Sequence, residues 1–399
     1  MTAAQTEPVP ATRSQRRPEL DAIRTLVVVG LVFFHAALVF DTRDDYYVKN
    51  GETTDVTMVF AGLGVVWAMP VLFLIAGLGS WHSLRRRGPG GFAGERLRRL
   101  GVPLLFATLT IIPVPVWLRL RTDPGYHESY LEFLPSFFDV HLDLADFPFI
   151  VQGEYFETGH LWFVVLLLAF SLLLAPLVRW VPRGHGRGAV DRLAAAAARQ
   201  RGVVLLPAVL FALICAFVGM EEEYAGWSRW AYLLFFLSGL VLAADERFRV
   251  AMRRDAVPAA VVGLVFFLVG MPGFLIAGDD PFTDMTAVAM GARALFGAAG
   301  WCWLVAILGL ADRRRAPQRD PAESRARRVY AYLAVAALPL YILHQPIVVA
   351  VAYGVVRWDA PILAKYAVIV VVSLALTVAA YDLLVRRTRV TRFLFGMRG

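Results

Sequence analysis

The stretch "RTLVVVGLVFFH" sets Arg24 and His35 at the two ends of ten uncharged, mostly hydrocarbon residues. Wound as a helix, those eleven steps make three turns plus about 20°, which brings both side chains to one face about 16 Å apart along the axis. That is about half the thickness of a bilayer core. An ionisable group held at such depth faces a protein interior or a wet cavity, because hydrocarbon does not solvate it. An imidazole there is either a buried side chain hydrogen-bonded to a neighbouring helix or a general base, whose ordinary pKa of about 6.5 suits proton abstraction at neutral pH. Asp21, three residues before Arg24, shares that side of the helix. It pairs with the arginine or simply favours the helix start.

Other residues of chemical interest are scattered along the chain. Arg96 and Arg99 in "GERLRRLGVPLLF" are three apart, hence neighbours on a helix. They are anchors on the cytoplasmic side of a membrane or forks for phosphate. His160, with Trp162 close behind, opens an apolar run; it contacts a ligand or caps an interface. His344 in "LPLYILHQPIVV" binds a ligand, relays a proton or packs beside Pro346. Arg293 lies inside an apolar run with no partner near it in sequence, so acids of an outer loop or a glycan are its candidate partners. Glu154 and Glu157 in "GEYFETGH" read as a solvated loop, and His82, His127, His141 and His185 as solvated residues of connecting segments. The glycine-rich "GPGGFAGERLRR" reads as a flexible hairpin. Cys215 and Cys302 sit singly in apolar runs and read as core residues. No H-E-x-x-H, paired cysteines or Walker loop occurs, so neither a metal nor a nucleotide site is expected.

These residues are carried by a strongly apolar chain. Of 399 residues 58% are hydrophobic and 18% charged, far from the usual balance of a water-soluble domain. Repeated apolar runs predict an all-α, polytopic membrane bundle with about ten spans. They fall near 22–40, 58–81, 100–118, 160–178, 203–220, 228–244, 256–277, 285–310, 329–353 and 362–385. The connections alternate in charge. Arginines crowd 82–99, 179–202, 245–255, 311–328 and the C-terminal tail, whereas 41–57, 119–159 and the "EEE" at 221–223 are acidic. By the positive-inside rule both termini face the cytoplasm. The formal net charge of +8 is then largely a topology signal, and no nucleic-acid partner is expected. Residues 1–20 are polar and proline-containing and read as a disordered cytoplasmic tail with no cleavable signal peptide. Residues 21–388 form one membrane domain without internal repeats, and 389–399 a second cytoplasmic tail. The segment 119–159 is too long for an idle connector and is expected to fold over the outer mouth.

Taken together, "RPELDAIRTLVVVGLVFFHAALVF", the R-x-x-R of Arg96 and Arg99, "GHLWFVVLLL" and "LPLYILHQPIVV" resemble the integral-membrane acyltransferase family 3 over essentially the whole membrane region. "MPVLFLIAG", "HQPIVVAVAYGVVRWDAPILAKY" and "FLFGM" are similar to its glucan biosynthesis protein C branch. Two departures stand out: "RTL" where many members read R-G-L, and no C-terminal esterase-like domain. The resemblance implies a membrane O-acyltransferase of the inner (plasma) membrane. It would move an acyl group, succinyl or acetyl, from cytoplasmic acyl-CoA to a hydroxyl of a glycan or a glycosylated small molecule. Acyl-CoA enters as the donor substrate and no cofactor is expected. Arg24, Arg96 and Arg99 would hold the donor's phosphate end, and His35 would take the hydroxyl proton. His160, Trp162, Arg293 and His344 would serve substrate binding. Without a G-x-S-x-G elbow, and with no histidine beside either cysteine in sequence, direct transfer is expected and no acyl-enzyme. The competing reading is a transporter or flippase in which His35, Arg293 and His344 line a polar path.

Overall fold

A computed structural model describes residues 17–43, 45–180, 186–278, 280–313 and 321–397, with backbone only at 57–61 and 321–330. Helices dominate: α1 (Pro18–Leu38), α2 (Val56–Val65), α3 (Ala68–Arg96), α4 (Val102–Thr110), α5 (Pro113–Leu120), α6 (Tyr130–Phe137), α7 (Trp162–Trp180) and α8 (Arg187–Arg199) make the first half. The second half holds α9 (Pro207–Val218), α10 (Arg229–Ala244), α11 (Glu246–Ile276), α12 (Ala287–Arg313), α13 (Pro321–Val355), α14 (Ile362–Ala380) and α15 (Arg389–Leu394). A two-residue antiparallel pairing, β1 (His141–Leu142) with β2 (Val151–Gln152), lies in the long segment between α6 and α7. His185 falls outside the described residues.

Eight helical stretches among the described residues are long and apolar enough to cross a membrane, against ten expected. The difference has a physical cause. The stretch Gly62–Leu120 runs to 59 residues and contains both the second and the third expected spans. The fifth is a shorter apolar helical stretch, Val203–Val218, whose C-cap Gly219 turns the chain at φ 88°.

The long stretch folds back on itself at Gly88 (φ 70°, ψ 173°), a conformation open to glycine and closed to most side chains, with Pro89 starting the return arm. Ser83 Oγ donates to Glu95 Oε2 at 2.7 Å and Arg96 Nη2 to Ser80 Oγ at 2.9 Å, so the two arms lie antiparallel. Arg87 completes the clasp on Glu95 at 3.1 Å. The glycine-rich region expected to be a flexible hairpin is therefore a helical one, and His82 sits exposed on a helix instead of in a loop. A π-helical turn, Leu97–Gly101, continues the return arm into α4. Such turns leave an i→i+5 widening that recurs at functional sites.

Close backbone packing sets the bundle. A Cβ on Gly77 would come within 2.0 Å of the Phe236 carbonyl, and one on Gly239 within 2.1 Å of the Leu74 carbonyl. The pair lets α3 and α10 meet backbone to backbone, the small-residue contact common between membrane helices. The connection between α1 and α2 is pinned from below: Lys49 Nζ donates to the Leu38 carbonyl at 3.0 Å, and buried Lys365 Nζ to Asn50 Oδ1 at 2.9 Å. Those anchors hold Tyr46 and Tyr47 over the end of α1.

Candidate active site

Three histidines from distant parts of the chain converge. His35 on α1, His160 in the 3₁₀ turn that leads into α7, and His344 on α13 form a chain of rings. The centroids of His35 and His344 are 5.2 Å apart, and those of His344 and His160 5.0 Å. Tyr46 stacks on the other side of His35 at 5.9 Å. His344 Nδ1 donates to the Tyr341 carbonyl at 2.5 Å. His160 Nε2 donates to the carbonyls of Tyr341 and Ile342 at 3.0 and 3.2 Å, and the Tyr341 hydroxyl returns a bond to the His160 carbonyl. A carbonyl only accepts, so these bonds fix the tautomers: a neutral His160 keeps its lone pair on Nδ1, a neutral His344 on Nε2. His160 also has a side-chain hydrogen bond with Gln345, whereas His344 Nε2 and His35 Nδ1 are buried without a partner among the described residues.

His35 and His160 open onto a cavity of about 1070 Å³. Part of its lining is apolar, with Phe34 and Leu38 of α1, Leu104 and Leu105 of α4, and Val165 and Leu168 of α7. The lining includes Gly101, two residues beyond Arg99. The rest is roofed by the segment between α6 and α7 and by the turn before α10: Asp146, residues 148–152 and 156–159 and residues 222–225 line it, together with Tyr46, Tyr47, Trp162 and Gln345.

Two clasps hold the roof. Arg229 reaches Asp146 at 2.9 Å and Glu221 at 3.1 Å, and its guanidinium lies 5.5 Å from the Tyr224 ring, which stacks on Phe149. The Tyr47 hydroxyl donates to Glu157 Oε1. Burial lifts the Glu157 carboxyl above the usual carboxylate range, against the opposing pull of the Tyr47 bond and of Arg119. Burial, and then the facing carboxylate, hold the Tyr47 phenol well above its ordinary value. Gly159 completes the corner at φ 48°; a Cβ there would lie 3.1 Å from Tyr47 Oη and 3.3 Å from Glu157 Oε1.

The family model described as an acyltransferase domain, that of acyltransferase family 3, matches residues 17–382. The chain belongs to acyltransferase family 3. No curated protein and no solved structure is detectably similar to it. It is a multi-pass membrane acyltransferase, an enzyme that transfers groups other than aminoacyl groups.

Within this acyltransferase the residues singled out in the sequence divide into three groups. His35, His160, His344 and Trp162 come together, His344 as a fully buried member behind the cavity wall. Trp162 lies on the wall against Tyr224 and Tyr232, at ring distances of 5.5 and 5.2 Å. Arg24, Arg96 and Arg99 gather below, close enough for Arg96 to feel the charge of both neighbours, while Glu95 takes Arg99 at 3.7 Å. Arg24 also holds Asp21 at 3.4 Å. None of the three is among the cavity's lining residues, which stop at Gly101.

Arg293 is elsewhere. Its guanidinium donates to the carbonyls of Cys215, Ala216 and Pro281 at 3.0, 3.0 and 2.9 Å, closing the exposed carbonyl end of α9. Its hydrogen bonds go to these carbonyls and to Met285 Sδ at 3.9 Å, while Asp280 and Asp284, acids of the neighbouring connection as expected, act on it through their charge. Glu157, expected in a solvated loop, instead lines the cavity. Tyr46, Tyr47, Gln345 and Arg119 join the site without having been singled out. Only Gln345 carried a signal, as the polar neighbour of His344 in an apolar run.

Proposed function

We propose that this enzyme moves an acyl group from acyl-CoA to a hydroxyl of a glycan or glycosylated small molecule, with His35 as general base. The observation that carries this reading is that His35 and His160 line one cavity together with apolar residues of α1, α4 and α7 and with polar and aromatic residues of the connecting segments. The apolar part suits the thioester arm, and the polar, aromatic part suits a sugar. Aromatic faces stack on the apolar faces of sugar rings while polar groups fix the hydroxyls.

The step balances simply. The acceptor oxygen attacks the thioester carbonyl as His35 takes its proton; a C–O bond forms and the C–S bond breaks. The proton then passes from the imidazolium to the departing thiolate of coenzyme A. Transfer is direct, without an acyl-enzyme: burial holds the thiols of Cys215 and Cys302 inside the bundle, apart from the cavity lining. Arg24, Arg96 and Arg99 take the phosphates of the donor. Succinyl and acetyl are the candidate groups, by resemblance to the glucan-modifying branch, and the inner (plasma) membrane is the expected location.

The test is an assay on the purified chain in lipid nanodiscs and in vesicles, with acyl-CoA and a panel of glycosides, read by mass spectrometry. Acyl-CoA consumption matched by an acylated product supports the reading. Movement of glycoside across the vesicle membrane without consumption of acyl-CoA overturns it in favour of transport.

A further inference from the structure

The backbone that carries Arg96 and Arg99 is held in place by a distant part of the chain. Arg96 ends α3, and Arg99 lies in the π-helical turn Leu97–Gly101 that follows it. Pro103 has no N–H to offer the Arg99 carbonyl four residues back, and its ring would clash with that oxygen in a regular α-helix. The helix widens there into the π turn. Against this irregular point rests the turn after α15. Gly396 packs so closely that a Cβ on it would lie 2.4 Å from the Arg99 carbonyl oxygen, 2.8 Å from Pro103 Cγ and 3.1 Å from Leu338 Cδ2 of α13.

Several further contacts hold the segment to its neighbours. Thr388 caps α15, its Oγ1 accepting from the Thr391 amide at 3.0 Å. Thr391 Oγ1 donates to the Val385 carbonyl at 2.7 Å, which ties α15 to a second π turn, Tyr381–Val385. Phe395 is buried, its ring 5.5 Å from that of Phe106 on α4. The amides of Gly396 and Met397 donate to the Phe393 and Arg392 carbonyls at 3.0 and 2.8 Å and so end the helix, with Gly396 at φ 68°. That left-handed φ alone would admit asparagine. The collision with Arg99, Pro103 and Leu338 requires glycine. Arg96 has its own brace in Ser80 Oγ at 2.9 Å. What the Gly396 turn fixes is the backbone from which Arg99 springs.

We infer that Gly396 is a positioning residue of the donor site: residues 389–397 fix the backbone of the Arg99 turn, and through it the arginines that meet the donor's phosphates. The inference rests on the reading of Arg24, Arg96 and Arg99 as the phosphate-binding group. A guanidinium fork recognises phosphate by direction as well as by charge. A turn displaced by about an ångström loses that geometry, while the apolar lining that suits the thioester arm stays as it was.

The experiment measures binding of coenzyme A, and of pantetheine, which carries the thiol arm without phosphates. Both are titrated calorimetrically into the full chain in nanodiscs, for the parent and three variants, with thermal unfolding of each. Gly396→Ala introduces the collision, and Phe395→Leu loosens the segment without one. Gly309→Ala is the control: a Cβ there would meet the Met252 carbonyl at 2.3 Å, a comparable collision between α11 and α12. The parent should bind coenzyme A at least about tenfold tighter than pantetheine. Gly396→Ala should lose at least about fivefold in coenzyme A affinity and Phe395→Leu about two- to threefold, with pantetheine affinity within about twofold of the parent. Gly309→Ala should lower Tm and keep coenzyme A affinity within about twofold. Should Gly396→Ala not fold, Phe395→Leu decides. Pantetheine binding too weak to titrate counts as discrimination, and coenzyme A affinity relative to Gly309→Ala then decides. Equal losses for the two probes, or the same loss in Gly309→Ala, overturn the inference. A parent that binds both probes alike overturns the phosphate role of the arginines, and this inference with it. A discriminating parent whose two segment variants keep its coenzyme A affinity overturns this inference alone.

Discussion

Glu157 shows how much a single side chain at this site depends on its surroundings. Its partner Tyr47 is 110 residues away in the chain, so nothing local in "GEYFETGH" distinguishes a cavity carboxyl from a solvated one. Since burial raises its pKa in the folded protein, the fold binds a proton there more readily than the unfolded chain does. Its contribution is therefore favourable at pH below the ordinary carboxylate range and is lost as pH rises through the elevated folded value. Glu157→Gln should flatten the decline of apparent Tm between mildly acidic and neutral pH, seen by thermal unfolding at a series of pH values; an unchanged slope would contradict the assignment. Arg96 makes a different claim. It is held between Ser80 Oγ and the Phe92 ring, 5.0 Å from its guanidinium carbon, and so is preset before any donor arrives. Arg96→Ala should raise the donor KM by about tenfold or more, the usual loss of a charged hydrogen bond, with a much smaller change in acceptor KM. Steady-state kinetics with each substrate varied in turn separates the two. The histidines were legible because an imidazole in an apolar run demands an explanation. Arg293 demanded one equally, yet a buried arginine reads the same in sequence whether it meets a ligand or the carbonyl end of a helix.

At the scale of elements, the chain's apolar periodicity reveals where helices run but not where they break or how closely they meet. The reversal at Gly88 and the short α9 are backbone events, set by single glycines that sequence context marks only as interruptions. Close helix contacts are similarly hidden, since two glycines on one helix can have opposite surroundings. Gly77 and Gly79 are both on α3. A Cβ at Gly77 would collide with the Phe236 carbonyl at 2.0 Å, whereas one at Gly79 meets nothing within 4 Å. Gly77→Ala should therefore force α3 and α10 apart and cost about 1–3 kcal/mol or more, the range for an overpacked interior. Gly79→Ala should be neutral or stabilise by up to about 1 kcal/mol through helix propensity. Thermal unfolding of the two variants under identical conditions, with monodispersity followed by size-exclusion chromatography, makes the comparison; equal behaviour would contradict the packing described.

The whole molecule brings together what no segment holds alone: α1, α13 and the turn before α7 each contribute one histidine, and the segment between α6 and α7 packs over the cavity they share. Composition and charge alternation made the polytopic bundle legible, because hydrocarbon and the positive-inside bias act on every span independently. The cavity was not legible in that way. It is lined by α1, α4 and α7, and its roof is made by Asp146, residues 148–152 and 156–159 and residues 222–225, brought together across long sequence separations. On the proposed reading, the enzyme brings a donor and an acceptor into this one cavity to meet the His35 imidazole. The measurement that tests this most directly is single-turnover acyl transfer by purified His35→Ala, with donor binding measured on the same sample. The rate should fall by about 10²–10⁴, the usual contribution of a general base, while donor affinity stays within a few-fold of the parent. Transfer within tenfold of the parent rate would mean that another group takes the hydroxyl proton and that His35 is a packing residue.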